Sequence, residues 1–340
     1  MKERNYSYDL MRVVACLMII AMHAPMPGDG ANSLFLSTLS YLTEPGLCLF
    51  FVLSGALLLP TKLDTIEFIK KRVTKVITPT LFFTFFYLGI KYIEGNDVSW
   101  LKTICSIPFS AQGHGVLWFM YTLIGLYLAS PILSRWLERA SKREVEFYLI
   151  LWGLTLCYPV LGLGLGINTH VEGLLYYFTG YVGYFILGFY LKQYPEVLSI
   201  KVLSLPVLIA IFAPISCKLA DFDVDFYSLF GYLSIFVAIL VVFLYKVLHY
   251  IYDKMVIYWK LGGGLLKYMQ LTSNLSFGIY LIHIAVMRNF LWNLEWIQNI
   301  SNYYIQWVVI VILTFALSWS ICYILYCLPF GRYIIGNNKK

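Results

Sequence analysis

Apolar runs the length of a bilayer-spanning helix repeat along this chain, and no other feature restricts its fold as severely. They fall at about 7–26, 43–60, 76–93, 115–134, 147–166, 174–191, 200–217, 227–250, 270–291 and 303–328. A helix needs roughly 20 such residues to cross the hydrocarbon core. The composition agrees: 60% of the 340 residues are hydrophobic and only 13% are charged, where a soluble domain carries about 25% charge. The expected fold is all-α, a polytopic membrane protein of about ten transmembrane helices in a single domain, 1–340. Spans consume almost all of it, so no soluble hydrolase-like domain is expected alongside.

The net charge of +7 is explained by topology. On this placement Lys91, Lys102, Lys218 and Arg288 lie at or near one side of the membrane, and the remaining Lys and Arg lie on the side of the termini. Positive charge collects in the cytoplasm, so both termini are expected there and no nucleic-acid partner is needed. The basic start and apolar middle of residues 1–27 resemble a signal peptide, but are read as an uncleaved first span that keeps its ionisable residues. Seven cysteines show neither C-x-x-C nor metal-ligand spacing, and no metal is expected.

Within the first run, Tyr8 to Met26, three ionisable residues interrupt the apolar sequence: Asp9, Arg12 and His23. Charge inside a membrane helix is costly, so such residues face a polar cavity or a partner. Arg12 and His23, eleven apart, share one helical face about 16 Å apart along the axis. Asp9, three before Arg12, is spaced to pair with it. The plainer alternative has Asp9 and Arg12 snorkelling at the inner interface and His23 capping the outer end.

Other residues carry chemistry at lower specificity. His283, about thirteen residues into the ninth run, is either a second histidine at a depth similar to His23 or a hydrogen-bonded packing residue. Lys70, Lys71, Arg72 and Lys75 crowd the approach to the third run. Trp118 can anchor at the interface or stack on a sugar. Asp221, Asp223 and Asp225 lack EF-hand spacing and read as a solvated loop. Gly262 to Gly264 have neither Walker nor Rossmann context and read as loop.

Taken in order, several segments resemble the membrane acyltransferase-3 family: D-x-x-R followed by x10-H in the first run, FFVLSGALLL at 50–59, FIKKRVTKVITP at 68–79, LWFMYTLIGLYLASPIL at 117–133, GYFILGFYL at 183–191, SFGIYLIH at 276–283 and PFGRYIIG at 329–336. Two departures stand out. Lys75 occupies the second Arg of an Arg-x-x-Arg pattern and lacks the bidentate fork, and His114 is displaced outward from the Leu-Trp pair it usually precedes. The resemblance implies an O-acyltransferase of the bacterial inner membrane, expected to use acetyl-CoA or another acyl-CoA, and a glycan or lipid-linked sugar of the cell envelope as acceptor. Acylating a hydroxyl needs a base to take its proton, for which His23 is the best-placed candidate, with Arg12 and Asp9 in the catalytic group. The match to the Arg-x-x-Arg pattern implies that Arg72 and Lys75 hold the donor phosphates, and His283, Trp118 and Tyr280 are candidates to line the substrate cavity. The rival class is a transporter or flippase for a glycan or small solute. It explains the spans and buried charge equally well, but not the basic cluster or the ordered motifs.

Overall fold

The structure, a computed structural model, describes residues 4–27, 34–165, 173–220, 222, 226–259 and 263–337. His170, Asp221, Asp223, Asp225 and Gly262 lie outside the described residues.

Among the described residues the chain is helical, with no strand. The first helices are α1 (Tyr6–His23), α2 (Leu34–Thr43), α3 (Pro45–Leu58), α4 (Thr65–Ile93), α5 (Trp100–Ser106) and α6 (Trp118–Leu137). Next come α7 (Lys142–Leu156), α8 (Tyr158–Leu165), α9 (Val182–Gln193), α10 (Ile200–Leu219) and α11 (Phe226–Phe230). The remainder are α12 (Ile235–Trp259), α13 (Gly263–Ile284), α14 (Glu295–Gln298), α15 (Tyr303–Cys327) and α16 (Gly331–Ile334).

Eight of the described segments are long and apolar enough to cross a membrane, and nine if α7 and α8, bent by 44° at Cys157, form one broken span. The chain is an all-α polytopic membrane protein. The expected count of about ten differs at the run 174–191. There a 3-10 turn at Tyr176–Phe178 precedes α9, which has only 12 residues. At 1.5 Å per residue α9 reaches about 18 Å, short of the ~30 Å core. Its residues from Gly183 to Leu191 are all buried, so the apolarity that mimicked a span comes from packing inside protein.

The chain divides into two compact units. The first comprises Met1–Pro60 and Arg135–Gln270, and the second Thr61–Ser134 and Leu271–Lys340. In the first, α3 is the central element and packs on α1, α9 and α12. Glycine sets its closest approaches. A Cβ on Gly55 would lie 1.7 Å from the Phe185 carbonyl oxygen, and one on Gly188 would lie 1.9 Å from that of Val52. A Cβ on Gly46 would lie 2.9 Å from the Ala15 oxygen. Small residues let membrane helices meet backbone to backbone, where van der Waals contact supplies the attraction that the hydrophobic effect cannot. This contact with α3 fixes where α1 stands.

In the second unit α4 runs unbroken for 29 residues, with Pro79 inside it and Asp64 accepting from the Ile66 N–H as its cap. The basic segment expected to precede the third span is therefore its first turns: α4 is about 43 Å long, more than a bilayer core requires. Tyr87 donates to the Leu281 carbonyl at 2.7 Å, tying α4 to α13. Trp319 donates to Thr272 Oγ1 at 3.1 Å, tying α15 to α13. The closing segment seats Ile335, fully buried, where a Cβ on Gly278 would sit.

Candidate functional site

In the first unit, α1 carries Asp9, Arg12 and His23 on one continuous helix. Asn5 starts it by accepting from the Ser7 N–H at 3.0 Å. Asp9, 2% exposed, lies in the first turn, where the helix dipole favours an anion. Its partner in a two-pronged ion pair is Arg4: Nε donates to Oδ2 at 2.6 Å and the second guanidinium nitrogen to Oδ1 at 2.7 Å. Parallel charge-assisted bonds of this kind are among the strongest polar contacts. Sequence spacing offered only Arg12, because helical i, i+3 rules cannot see a residue ahead of the helix. Asp9 and His23 are about 21 Å apart along the axis, so Asp9 orders the start of α1 and does not touch the histidine. Beside it the Tyr8 and Tyr245 hydroxyls meet at 3.2 Å, and His249 stands edge-on to Tyr8 at 5.4 Å.

His23 ends α1 half-buried, with Nδ1 2.8 Å from the Ile19 carbonyl oxygen. A carbonyl can only accept, so Nδ1 carries the proton and donates. In the neutral ring the basic lone pair is then on Nε2, and the backbone of the last helical turn has selected the tautomer. Such a ring can take a proton at Nε2 and keep its orientation while doing so.

The second unit holds the remaining candidates. On α4, Lys70 and Lys71 are exposed, whereas Arg72 and Lys75 are half-buried. Arg72 Nε is fully buried and has no hydrogen-bond partner among the described residues. An orphaned guanidinium donor is expensive, and an anion reaching it would satisfy it. The four cations thus divide into an exposed pair and an inward pair, three residues apart on one face.

Tyr280 and His283 are part of the packed interior of this unit. The Tyr280 hydroxyl donates to the Val116 carbonyl at 2.5 Å, its ring lies 5.1 Å from Phe119, and His283, 0% exposed, donates from Nδ1 to the Tyr280 carbonyl. Trp118 is half-buried and stands edge-on to Phe119 at 6.4 Å. Phe119 lies against both Trp118 and Tyr280, and His283 lies against Tyr280.

His114 lies just before α6 and caps a 3-10 turn, its Nδ1 accepting from the Val116 N–H at 3.2 Å, with its ring 5.2 Å from Tyr87. Burial first, then the charges of Arg288 and Lys91, lower its pKa from 6.5 to about 4. The unfolded chain therefore binds this proton near pH 6.5 while the folded one refuses it until about pH 4. The contribution of His114 to stability is complete above that window and is lost as pH falls through it. Melting of the purified protein between pH 7.5 and 5 should show a drop that His114→Gln reduces; identical pH slopes for the two proteins would rule out this linkage.

No curated protein and no solved structure matches the chain. The family model described as an acyltransferase domain matches residues 5–326. That stretch includes α1 with His23 and α4 with Arg72, and it favours group transfer over the transporter class. From residue 5 to residue 326 this chain belongs to the acyltransferase-3 family, and it is a multi-pass membrane acyltransferase.

Proposed function

We propose that the protein O-acylates a hydroxyl of a cell-surface glycan or its lipid-linked precursor, using acyl-CoA, with acetyl-CoA as the expected donor. The observation that carries this reading is the backbone-fixed tautomer of His23, which leaves Nε2 as the basic nitrogen in a member of an acyltransferase family. An alcohol is a weak nucleophile until its proton is being removed. His23 Nε2 takes that proton as the acceptor oxygen attacks the thioester carbonyl. The carbon–oxygen bond forms, the carbon–sulfur bond breaks, and the proton passes from Nε2 to the departing thiolate, giving the free thiol and an ester.

On this reading Arg72 and Lys75 hold the donor phosphates from the cytoplasmic face of a bacterial inner membrane, with both termini on that same side. The buried, unsatisfied Nε of Arg72 supports the assignment, because guanidinium grips phosphate at two points. Arg72→Ala should weaken acetyl-CoA binding by the loss of a charge-assisted contact, about 1.5–3 kcal/mol or tenfold and more. Lys70→Ala, at an exposed position, should change it little. Titration calorimetry on the purified variants compares the two, and equal small effects would leave the cluster with a topological role only.

A further inference from the structure

Glu44 stands immediately before α3 in the first unit, and its side chain does not cap that helix. Its Oε2 is fully buried with no hydrogen-bond partner among the described residues, and Glu44 forms no ion pair among them. A buried carboxyl oxygen left unserved is uncommon in a folded protein and marks a place where a polar group has yet to arrive.

The surroundings have donors, but several are aimed elsewhere. Tyr41, Cys48, Tyr181, Tyr184 and Tyr227 all lie within electrostatic reach of the carboxyl. Tyr41 donates to the Ala210 carbonyl at 2.9 Å. Tyr184 and Cys48 both donate to the Tyr232 carbonyl, at 2.6 and 3.7 Å. With those protons committed to backbone, the carboxyl keeps its accepting capacity for a group from outside.

The cluster also connects to the catalytic helix. Tyr232 donates its hydroxyl to Met22 Sδ at 3.4 Å, and Met22 immediately precedes His23. The Tyr227 ring stands edge-on to Tyr232 at 6.1 Å and is 63% exposed, which carries the cluster from the interior of the unit to its surface. Tyr181 lies 5.0 Å from Phe51 and adds a further aromatic face. A carboxyl that accepts from hydroxyls, set among aromatic rings that cover apolar C–H faces, suits a sugar ring.

We propose that Glu44 is the acceptor-binding residue of this transferase: it accepts hydrogen bonds from hydroxyls of the acceptor sugar among the tyrosine rings and holds that sugar for His23. The inference rests on the glycan-acceptor reading above and names the residue that recognises the glycan. Glu44 orients the acceptor, and the proton of the reacting hydroxyl goes to His23.

The test uses the full-length purified protein with labelled acetyl-CoA and, as acceptor probe, unacylated envelope glycan extracted from cells that lack the protein. Glu44→Ala should raise the acceptor KM about tenfold or more while the donor KM stays at the wild-type value. Glu44→Gln, which keeps one accepting oxygen, should fall between the two. A wild-type acceptor KM in Glu44→Ala would overturn the proposal. So would a joint loss of donor and acceptor affinity with falling yield in both variants, since that reports a structural role. If the wild-type protein transfers nothing to the glycan, the glycan-acceptor reading fails and this inference fails with it. If the wild type transfers and Glu44→Ala transfers equally well, only the inference fails.

Discussion

His23→Ala should reduce acyl transfer by about 10²–10⁴-fold, the usual share of general-base catalysis, while acetyl-CoA binding stays close to wild type. The separation follows from α1 itself. Arg12 and His23 share a face but stand about 16 Å apart, so on the proposed reading they should serve different steps. The lost contribution is a proton acceptor at a fixed position, because Ile19 holds Nδ1–H and presents Nε2. His23→Gln should not restore the rate, since an amide can hydrogen-bond to the hydroxyl but cannot take its proton. Purified variants compared for acetyl-CoA affinity and for turnover separate the two steps. A His23→Ala enzyme at the wild-type rate would remove the base from this helix.

Gly188→Ala should strongly destabilise the first unit, as should Gly55→Ala on the facing helix. The new Cβ would lie 1.9 Å from the Val52 carbonyl oxygen and 2.9 Å from the Ala56 nitrogen, both backbone atoms of α3. No rotamer change relieves such a clash; α3 and α9 must separate. Overpacking of this kind costs typically 1–3 kcal/mol, and a backbone clash belongs at the upper end. For a unit of this size that lowers the melting temperature by roughly 6–12 °C. Gly153→Ala in α7 is the control, because a Cβ there meets nothing within 4 Å and alanine favours helix. Thermal melts of the two variants in detergent should differ widely. Coincident melts would show that α3 and α9 are not packed through this glycine.

The architecture was legible where apolarity meant lipid. α1, α10 and α15 appear close to their expected bounds because each run is bordered by polar or helix-breaking residues. It was misleading where apolarity meant protein interior, as at α9, whose residues from Gly183 to Leu191 are all buried. The length of α4 was hidden for the opposite reason: its basic first turns read as loop, yet Lys and Arg are good helix formers and Asp64 caps them. In the candidate site, helical spacing could put Arg72 and Lys75 on one face, but that both are half-buried needed the structure. The Arg4–Asp9 pair did not, since Arg4 precedes the helix. Glu44 was invisible because its environment is assembled from α2, α3, α9 and the segment around Tyr227, which no local pattern connects. His23 stood out in the sequence as an ionisable residue in an apolar run, and which of its ring nitrogens carries the proton required the backbone.

The most direct test of the account is mass spectrometry of surface glycans released from three otherwise identical cell lines: one producing the wild-type protein, one producing His23→Ala at equal abundance, and one producing neither. Wild-type cells should carry an acetyl-sized increment on a glycan hydroxyl that is absent from the other two. Identical spectra from wild-type and protein-free cells, or an undiminished increment in the His23→Ala cells, would contradict it.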